Sequence, residues 1–317
     1  MKNTTELPCY FYHPNEKRAR KPPVNDLSAK RERLLARIRD LPPCAVAFSA
    51  GVDSTVLAKA AVLALGDRAV AVTGVSPSLP AGELELARQL AQQIGIRHEI
   101  LETSEFENPE YLKNGPDRCY HCRSDLYRQI EVLIPRLKVQ VILNGANADD
   151  RNDYRPGTQA AEEHRVISPL AECGITKSEV RQLAAEWDLP IWDKPAMPCL
   201  ASRIAYGVEV DPERLQRIDR AERFLRQHGF PTVRVRYHAG DVARLEVPAE
   251  QLNRLCEPEL REAVAAYCKE LGFRFITLDL EGFRSGSLNV LVPLEVRNAR
   301  KMPAEQPAAT AEDTPPA

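Results

Sequence analysis

Between residues 26 and 205 the chain alternates short apolar runs with stretches of helical period. Over Asp26 to Asp40 the apolar positions Leu27, Leu34, Leu35 and Ile38 recur at helical spacing, which predicts an amphipathic helix. Cys44 to Phe48 (CAVAF) is continuously apolar, as expected of a strand buried on both faces. A helix over Ser54 to Leu65, a strand over Arg68 to Val75, a helix over Pro80 to Gly95 and strands over Arg97 to Leu101 and Val139 to Leu143 follow. This order predicts right-handed βαβ units. The fold class is therefore α/β, with a Rossmann-like parallel sheet over residues 26–205 and ligands beyond the carboxyl ends of its strands.

The rhythm changes after residue 205. Asp211-Pro212-Glu213 combines an N-cap, an N1 proline and an acidic first turn, and His228-Gly229 ends the helix they open. Thr232 to Tyr237 alternates like a strand; Val242 to Val247, Pro258 to Gly272 and Phe273 to Leu280 read strand, helix, strand. A smaller α+β domain over 206–298 is expected, divided from the first near Ala205 to Val210. Residues 1–25 are polar and proline-bearing, and residues 299–317 are rich in Ala and Pro. Both hold too little apolar surface to offset the entropy of ordering, and disorder is expected.

A length of 317 residues suits two domains, and 44% hydrophobic residues suffice for their cores. The 43 Lys and Arg against 45 Asp and Glu give a net charge of −2, which argues against coating nucleic acid. No apolar run approaches the roughly 20 residues of a membrane span. The N-terminal stretch lacks the apolar region of a secretory signal, so a cytoplasmic protein is expected. Eight cysteines in such a chain point to metal or redox chemistry rather than a disulfide scaffold.

The strongest local signal is Ser49-Ala50-Gly51-Val52-Asp53-Ser54, between an apolar strand and a helix. Small residues let backbone approach an anion, and first-turn N–H groups point at it. Ser49 and Ser54 can donate to phosphate oxygens, and Asp53 can help hold Mg²⁺ or brace the loop. An ordinary serine-capped turn is the alternative. The segment resembles the Ser-Gly-Gly-x-Asp-Ser loop of the PP-loop ATP pyrophosphatases, a resemblance that implies ATP cleaved between its α and β phosphates. It also implies an ATP site of Ala47, Ser49, Ala50, Gly51, Val52, Asp53 and Ser54, with Val75, Gly145 and Asp150. Ala50 replaces the usual glycine; a negative φ accepts its methyl group and a positive φ strains it.

Arg118-Cys-Tyr-His-Cys-Arg123 is a CxxC that haem attachment, a thioredoxin-type site and a four-ligand zinc site each fit poorly. His121 lies between the cysteines and is expected to point away. Cys199 sits in Lys194-Pro-Ala-Met-Pro-Cys-Leu-Ala-Ser-Arg203, whose prolines predict an exposed loop. Cys119, Cys122 and Cys199 suit a 4Fe–4S cluster with one open iron; three unrelated thiols are the alternative. Thr176-Lys-Ser-Glu179 reads as a structural capping box.

Further motifs are Asn144-Gly-Ala-Asn-Ala-Asp-Asp150, Asp153-Tyr-Arg-Pro-Gly157, Ser168-Pro-Leu170, Pro198-Cys-Leu-Ala-Ser-Arg203 and Val233-Arg-Val-Arg-Tyr-His238. Together they resemble the LarE family of ATP-dependent sulfur transferases, over about Asp26 to Val296. The resemblance implies adenylylation of a carboxylate of pyridinium-3,5-biscarboxylic acid mononucleotide, then its replacement by thiocarboxylate in the making of the nickel-pincer nucleotide. It implies ATP, Mg²⁺, a mononucleotide substrate, a sulfide donor and a homo-oligomer, trimer or hexamer. Members with one cysteine give up the sulfur at the position of Cys199; three cysteines resemble the cluster-bearing kind. Ser202, Arg203 and Glu222 are then candidates at the reacting centre. Arg234 and Arg236, two apart on a strand, share a face and suit a substrate phosphate, or pairing with acids such as Glu246. Asp149, Asp150 and Arg155 follow the fourth strand and could hold Mg²⁺ or ribose, or cap a helix. The rivals are a transfer-RNA thiolase, an ammonia-using NAD- or GMP-synthetase-like ligase, and a non-catalytic iron–sulfur or zinc protein.

Overall fold

The computed structural model describes residues 24–152, 156–284 and 286–292. Arg155 and most of the two expected extensions lie outside them.

Strands β1 (Cys44–Ala47), β2 (Ala69–Val75), β3 (Arg97–Glu102) and β4 (Val141–Leu143) form a parallel sheet of order β3-β2-β1-β4. The α/β, Rossmann-like expectation holds. Helices α1 (Val24–Arg39), α2 (Val52–Leu65) and α3 (Glu83–Ile94) cross between or flank the strands. One side of β1 and β2 packs with Leu34, Ile38, Val56, Leu57 and Leu90. The other packs with Tyr127, Ile130 and Leu137. Both faces are thus covered, which is why these strands read as unbroken apolar runs.

Tyr127, Ile130 and Leu137 belong to α4 (Arg118–Leu137), a 20-residue helix that the sequence reading did not predict. Pro135 in its last turn and the cysteine-rich start obscure its period. The Lys177–Glu186 helix, α5, carries the expected capping box: Glu179 N–H donates to Thr176 Oγ1, and Thr176 N–H to Glu179 Oε2 (2.8 Å).

The second sheet contains β5 (Arg234–His238), β6 (Val242–Glu246) and β7 (Phe275–Leu278), with β5–β6 antiparallel and β6–β7 parallel. The Pro212–Gln227 helix, α6, and the Pro258–Glu270 helix, α7, pack on it. Asp211 accepts from Glu213 N–H at the N-cap of α6 (2.9 Å). Leu200, Ala201 and Ile204 join this second core, and Ala205 N–H donates to Tyr237 O (2.9 Å). The Cys199 segment is the exposed loop its prolines suggested at Pro195, Ala196 and Pro198, but not beyond Cys199. From there it turns once over Leu200–Arg203 and buries Leu200 and Ala201 in the second core.

Candidate active site

At the end of β1 the chain turns through Ser49, Ala50 and Gly51 into α2. Phe48 N–H donates to Val72 O (2.8 Å), rooting the turn in the sheet. Ser49 N–H donates to Ser54 Oγ (3.2 Å), the two hydroxyls lie 3.2 Å apart, and Thr55 Oγ1 donates to Gly51 O (2.8 Å). Gly51 is the N-cap and supplies no side-chain cap, which leaves first-turn N–H groups to an external anion. Ala50 takes φ +55°, the left-handed conformation that strains its methyl group, and that group is buried.

The loop lies at the switch point of the sheet, where β1 has β2 on one side and β4 on the other. Ala47 and Val75 end their strands there. Gly145, after β4, passes so near the start of α2 that a Cβ would lie 2.8 Å from Ser54 N, so only glycine fits. Asp53 Oδ1 accepts from Asn147 Nδ2 (3.1 Å), and its other oxygen pairs with Lys177. Lys194 Nζ pairs with Glu83 (2.8 Å) and lies 3.4 Å from Ala50 O. Two ammonium groups therefore border the loop. Sequence reasoning assigned neither: Lys177 was hidden inside a capping box, Lys194 inside a quoted motif. Asp149 accepts from Lys177 N–H (2.8 Å) and Asp150 from Asn147 N–H (3.1 Å), so each commits an oxygen to a backbone N–H.

Cys119 lies in the first turn of α4 and Cys122 at the start of its second. Burial raises the Cys122 thiol well above its ordinary range, and the neighbouring Cys199, Glu105 and Cys119 add to the rise. Cys122 and Cys199 pack against the same second core, and Cys119 lies three residues before Cys122 on α4. His121 Nε2 lies 3.3 Å from Asp117 and lines a separate cavity of about 400 Å³ along α4. Among the described residues no group of three His, Cys, Asp or Glu is placed to hold a single metal ion. A cluster makes a different demand, since its thiolates bind separate irons. The donor set here, free Cys119 and Cys122 near the start of α4 with free Cys199 packed on the same core as Cys122, fits a thiolate-ligated group in its chemistry.

A buried charge network supports Cys199. Arg203 and Glu222 are both fully buried and pair through Nε–Oε1 (3.0 Å) and Nη2–Oε2 (3.2 Å). Arg203 Nη1 also donates to the carbonyls of Pro198 and Cys199, the latter at 2.9 Å. Glu222 accepts further from Arg226 (2.6 Å) and Val235 N–H (3.2 Å). Burial opposes its charge, but Arg203, Arg226 and Arg234 outweigh that and hold its pKa low. Ser202 Oγ donates to Cys199 O (2.7 Å). These donors and acceptors are engaged inside the protein, so the network acts on the Cys199 loop.

Arg234 and Arg236 share a buried face of β5 but have different partners. Arg236 pairs with Glu246 (2.8 Å) and donates to Ser202 O (3.1 Å). Arg234 donates to Val233 O (2.7 Å) and Ala196 O (2.8 Å) and stacks over Phe283, forming no ion pair among the described residues. Burial, with the like charges of Arg203, Arg236 and Arg226, lowers its pKa to about 10. A buried guanidinium without a carboxylate is an open demand for an anion.

Fold and site together define the class: an α/β protein with an anion-ready loop at the switch point of a parallel sheet, joined by the 194–203 segment to a group of thiols. No family model matches the chain. It is 36% identical over 265 residues, 83% of this chain and 95% of the relative, to a protein of Lactiplantibacillus plantarum named pyridinium-3,5-bisthiocarboxylic acid mononucleotide synthase. It is 47% identical over 264 residues, 83% of this chain and 98% of the relative, to an uncharacterized protein of Synechocystis. An uncharacterized protein of Methanocaldococcus jannaschii is 26% identical over 240 residues, 76% of this chain and 90% of the relative. The chain belongs to the LarE family, that of the Lactiplantibacillus synthase. Among the described residues no helix is long and apolar enough to cross a membrane.

Proposed function

We propose that this chain is an ATP-dependent sulfur transferase acting on pyridinium-3,5-biscarboxylic acid mononucleotide. The carrying observation is the 36% identity to the named synthase over 95% of its length. A carboxylate is a poor electrophile because its oxygen leaves badly. In this reading a substrate carboxylate oxygen attacks the α-phosphorus of ATP, pyrophosphate departs, and an acyl-adenylate forms. Sulfur then adds to the acyl carbon and AMP leaves, taking the carboxylate oxygen with it.

The residues have distinct tasks in this scheme. The N–H groups at the start of α2 and the hydroxyls of Ser49 and Ser54 cradle the phosphates. Asp53, with Mg²⁺ bound, shares charge neutralisation with Lys177 and Lys194. Arg234 supplies the unmatched positive charge for the substrate phosphate. Arg203, Glu222, Ser202 and Arg236 hold the loop that carries Cys199. Cys119, Cys122 and Cys199 would hold a 4Fe–4S cluster, which when bound supplies sulfide; without it, Cys199 is itself the sulfur source: its Sγ displaces AMP to form a thioester, and loss of the α-proton with cleavage of Cβ–Sγ releases the thiocarboxylate and leaves dehydroalanine at position 199. A cytoplasmic homo-oligomer is part of the same reading.

The test is anaerobic incubation of purified protein with ATP, Mg²⁺ and the mononucleotide. The expected products are AMP, pyrophosphate and a substrate heavier by the exchange of oxygen for sulfur. AMP formation with transfer RNA or ammonia, and none with the mononucleotide, would overturn the assignment.

A further inference from the structure

Helix α5 borders the phosphate loop with Lys177, its first residue, which pairs with Asp53. Arg181 follows four residues later, on the same face of the helix. No carboxylate pairs with it among the described residues. Its guanidinium spans two backbone carbonyls instead: Nη1 donates to Trp192 O (2.8 Å) and Nη2 to Lys194 O (2.9 Å). A planar fork on two carbonyls fixes the position and the orientation of the backbone between them. That backbone is otherwise held locally, with Trp192 N–H donating to Leu189 O (3.3 Å) and Lys194 N–H to Ile191 O (3.0 Å). Residues 194–199 form no regular element, and Pro195 has no N–H to donate. Lys194 extends from this segment to the loop: its Nζ pairs with Glu83 (2.8 Å) and lies 3.4 Å from Ala50 O, with the side chain 16% exposed.

We propose that Arg181 is a positioning residue for the phosphate loop: by holding the carbonyls of Trp192 and Lys194 it presents the Lys194 ammonium at Ala50. Helix α5 then places both ammonium groups that meet the phosphates of ATP, Lys177 directly and Lys194 through Arg181. The proposal deepens the sulfur-transfer reading and rests on its ATP site.

The test is a double-mutant cycle on the full chain, read as Mg·ATP affinity in equilibrium dialysis. Arg181→Met and Lys194→Met should each weaken binding about fivefold, the effect of one charge misplaced by a few ångströms in water-rich surroundings. The double variant should bind no more weakly than Lys194→Met alone, because the two residues act through one contact. A clamp that serves stability alone would lower the unfolding midpoint and leave the affinity unchanged. Arg181→Gln, which can donate to one carbonyl but not both, serves where the Met variant does not fold. Unchanged affinity in the folded variant, or losses that add in the double variant, overturns the proposal. A second readout needs no ATP: acylation of lysines by an activated ester, followed by peptide mass spectrometry. Relative to Lys113, whose side chain is 65% exposed, Lys194 should label severalfold faster in Arg181→Met. If wild type binds no Mg·ATP, the sulfur-transfer reading falls and the labelling still decides this proposal, which an unchanged Lys194 rate overturns.

Discussion

Replacing Glu222 by alanine should destabilise the protein by about 4–6 kcal/mol. Glu222 is fully buried and accepts from Arg203, Arg226 and Val235 N–H. Stranding a buried cation costs about 3–5 kcal/mol. An orphaned backbone N–H adds about 1–3 kcal/mol. Part of the sum is recovered as Arg226, the least buried partner, turns to solvent. Glu222→Gln keeps an acceptor and the shape, and should cost about 2 kcal/mol. Urea unfolding followed by circular dichroism gives both values. Because Arg203 Nη1 holds the carbonyl of Cys199, alkylation of Cys199 should also accelerate in the alanine variant, in urea-free buffer. A loss below about 1 kcal/mol for Glu222→Ala, with unchanged alkylation, would refute the claim that this network positions the loop. Acid should mimic the substitution. The folded pKa of Glu222 is depressed, so its stabilisation is present above the unfolded value of about 4.3 and lost as pH falls through the folded value.

Gly145→Ala should weaken ATP binding at least tenfold in equilibrium dialysis, since its Cβ would meet Ser54 N at the start of α2. Ala50→Gly should change stability by less than about 1 kcal/mol in thermal unfolding, because relief of the left-handed backbone is offset by chain entropy and a lost buried methyl. Lys177→Met should raise the KM for ATP several-fold while leaving the far-ultraviolet spectrum unchanged, a result that a merely structural Lys177–Asp53 pair would not give. Burial lowers the pKa of His98, as the nearby Arg88 does, and burial lowers that of His238, as Arg244 does. Their neutral forms are favoured in the folded state, so stability present above about pH 6.5 declines below it. Urea midpoints at pH 7.5 and 5.5 should differ in that direction, and less so in His98→Gln/His238→Gln.

The parallel sheet, the strand, turn and helix around Ser49–Ser54 and the second sheet were legible in the chain. Strands buried on both faces must be apolar throughout, and a loop that admits an anion must be small. The helix carrying Cys119 and Cys122 was not legible, because its apolar positions answer to a sheet face and its start is polar. Nor were the roles of the arginines. Spacing placed Arg234 and Arg236 on one face, but only the packing gave Arg236 to Glu246 and left Arg234 without a carboxylate. Lys177 and Lys194 reach Asp53 and Glu83 across 124 and 111 residues of chain. Local sequence fixes backbone preference and periodicity, which depend on neighbours along the chain. The partner of a buried charge depends on which segments fold together, and tertiary structure alone decides that.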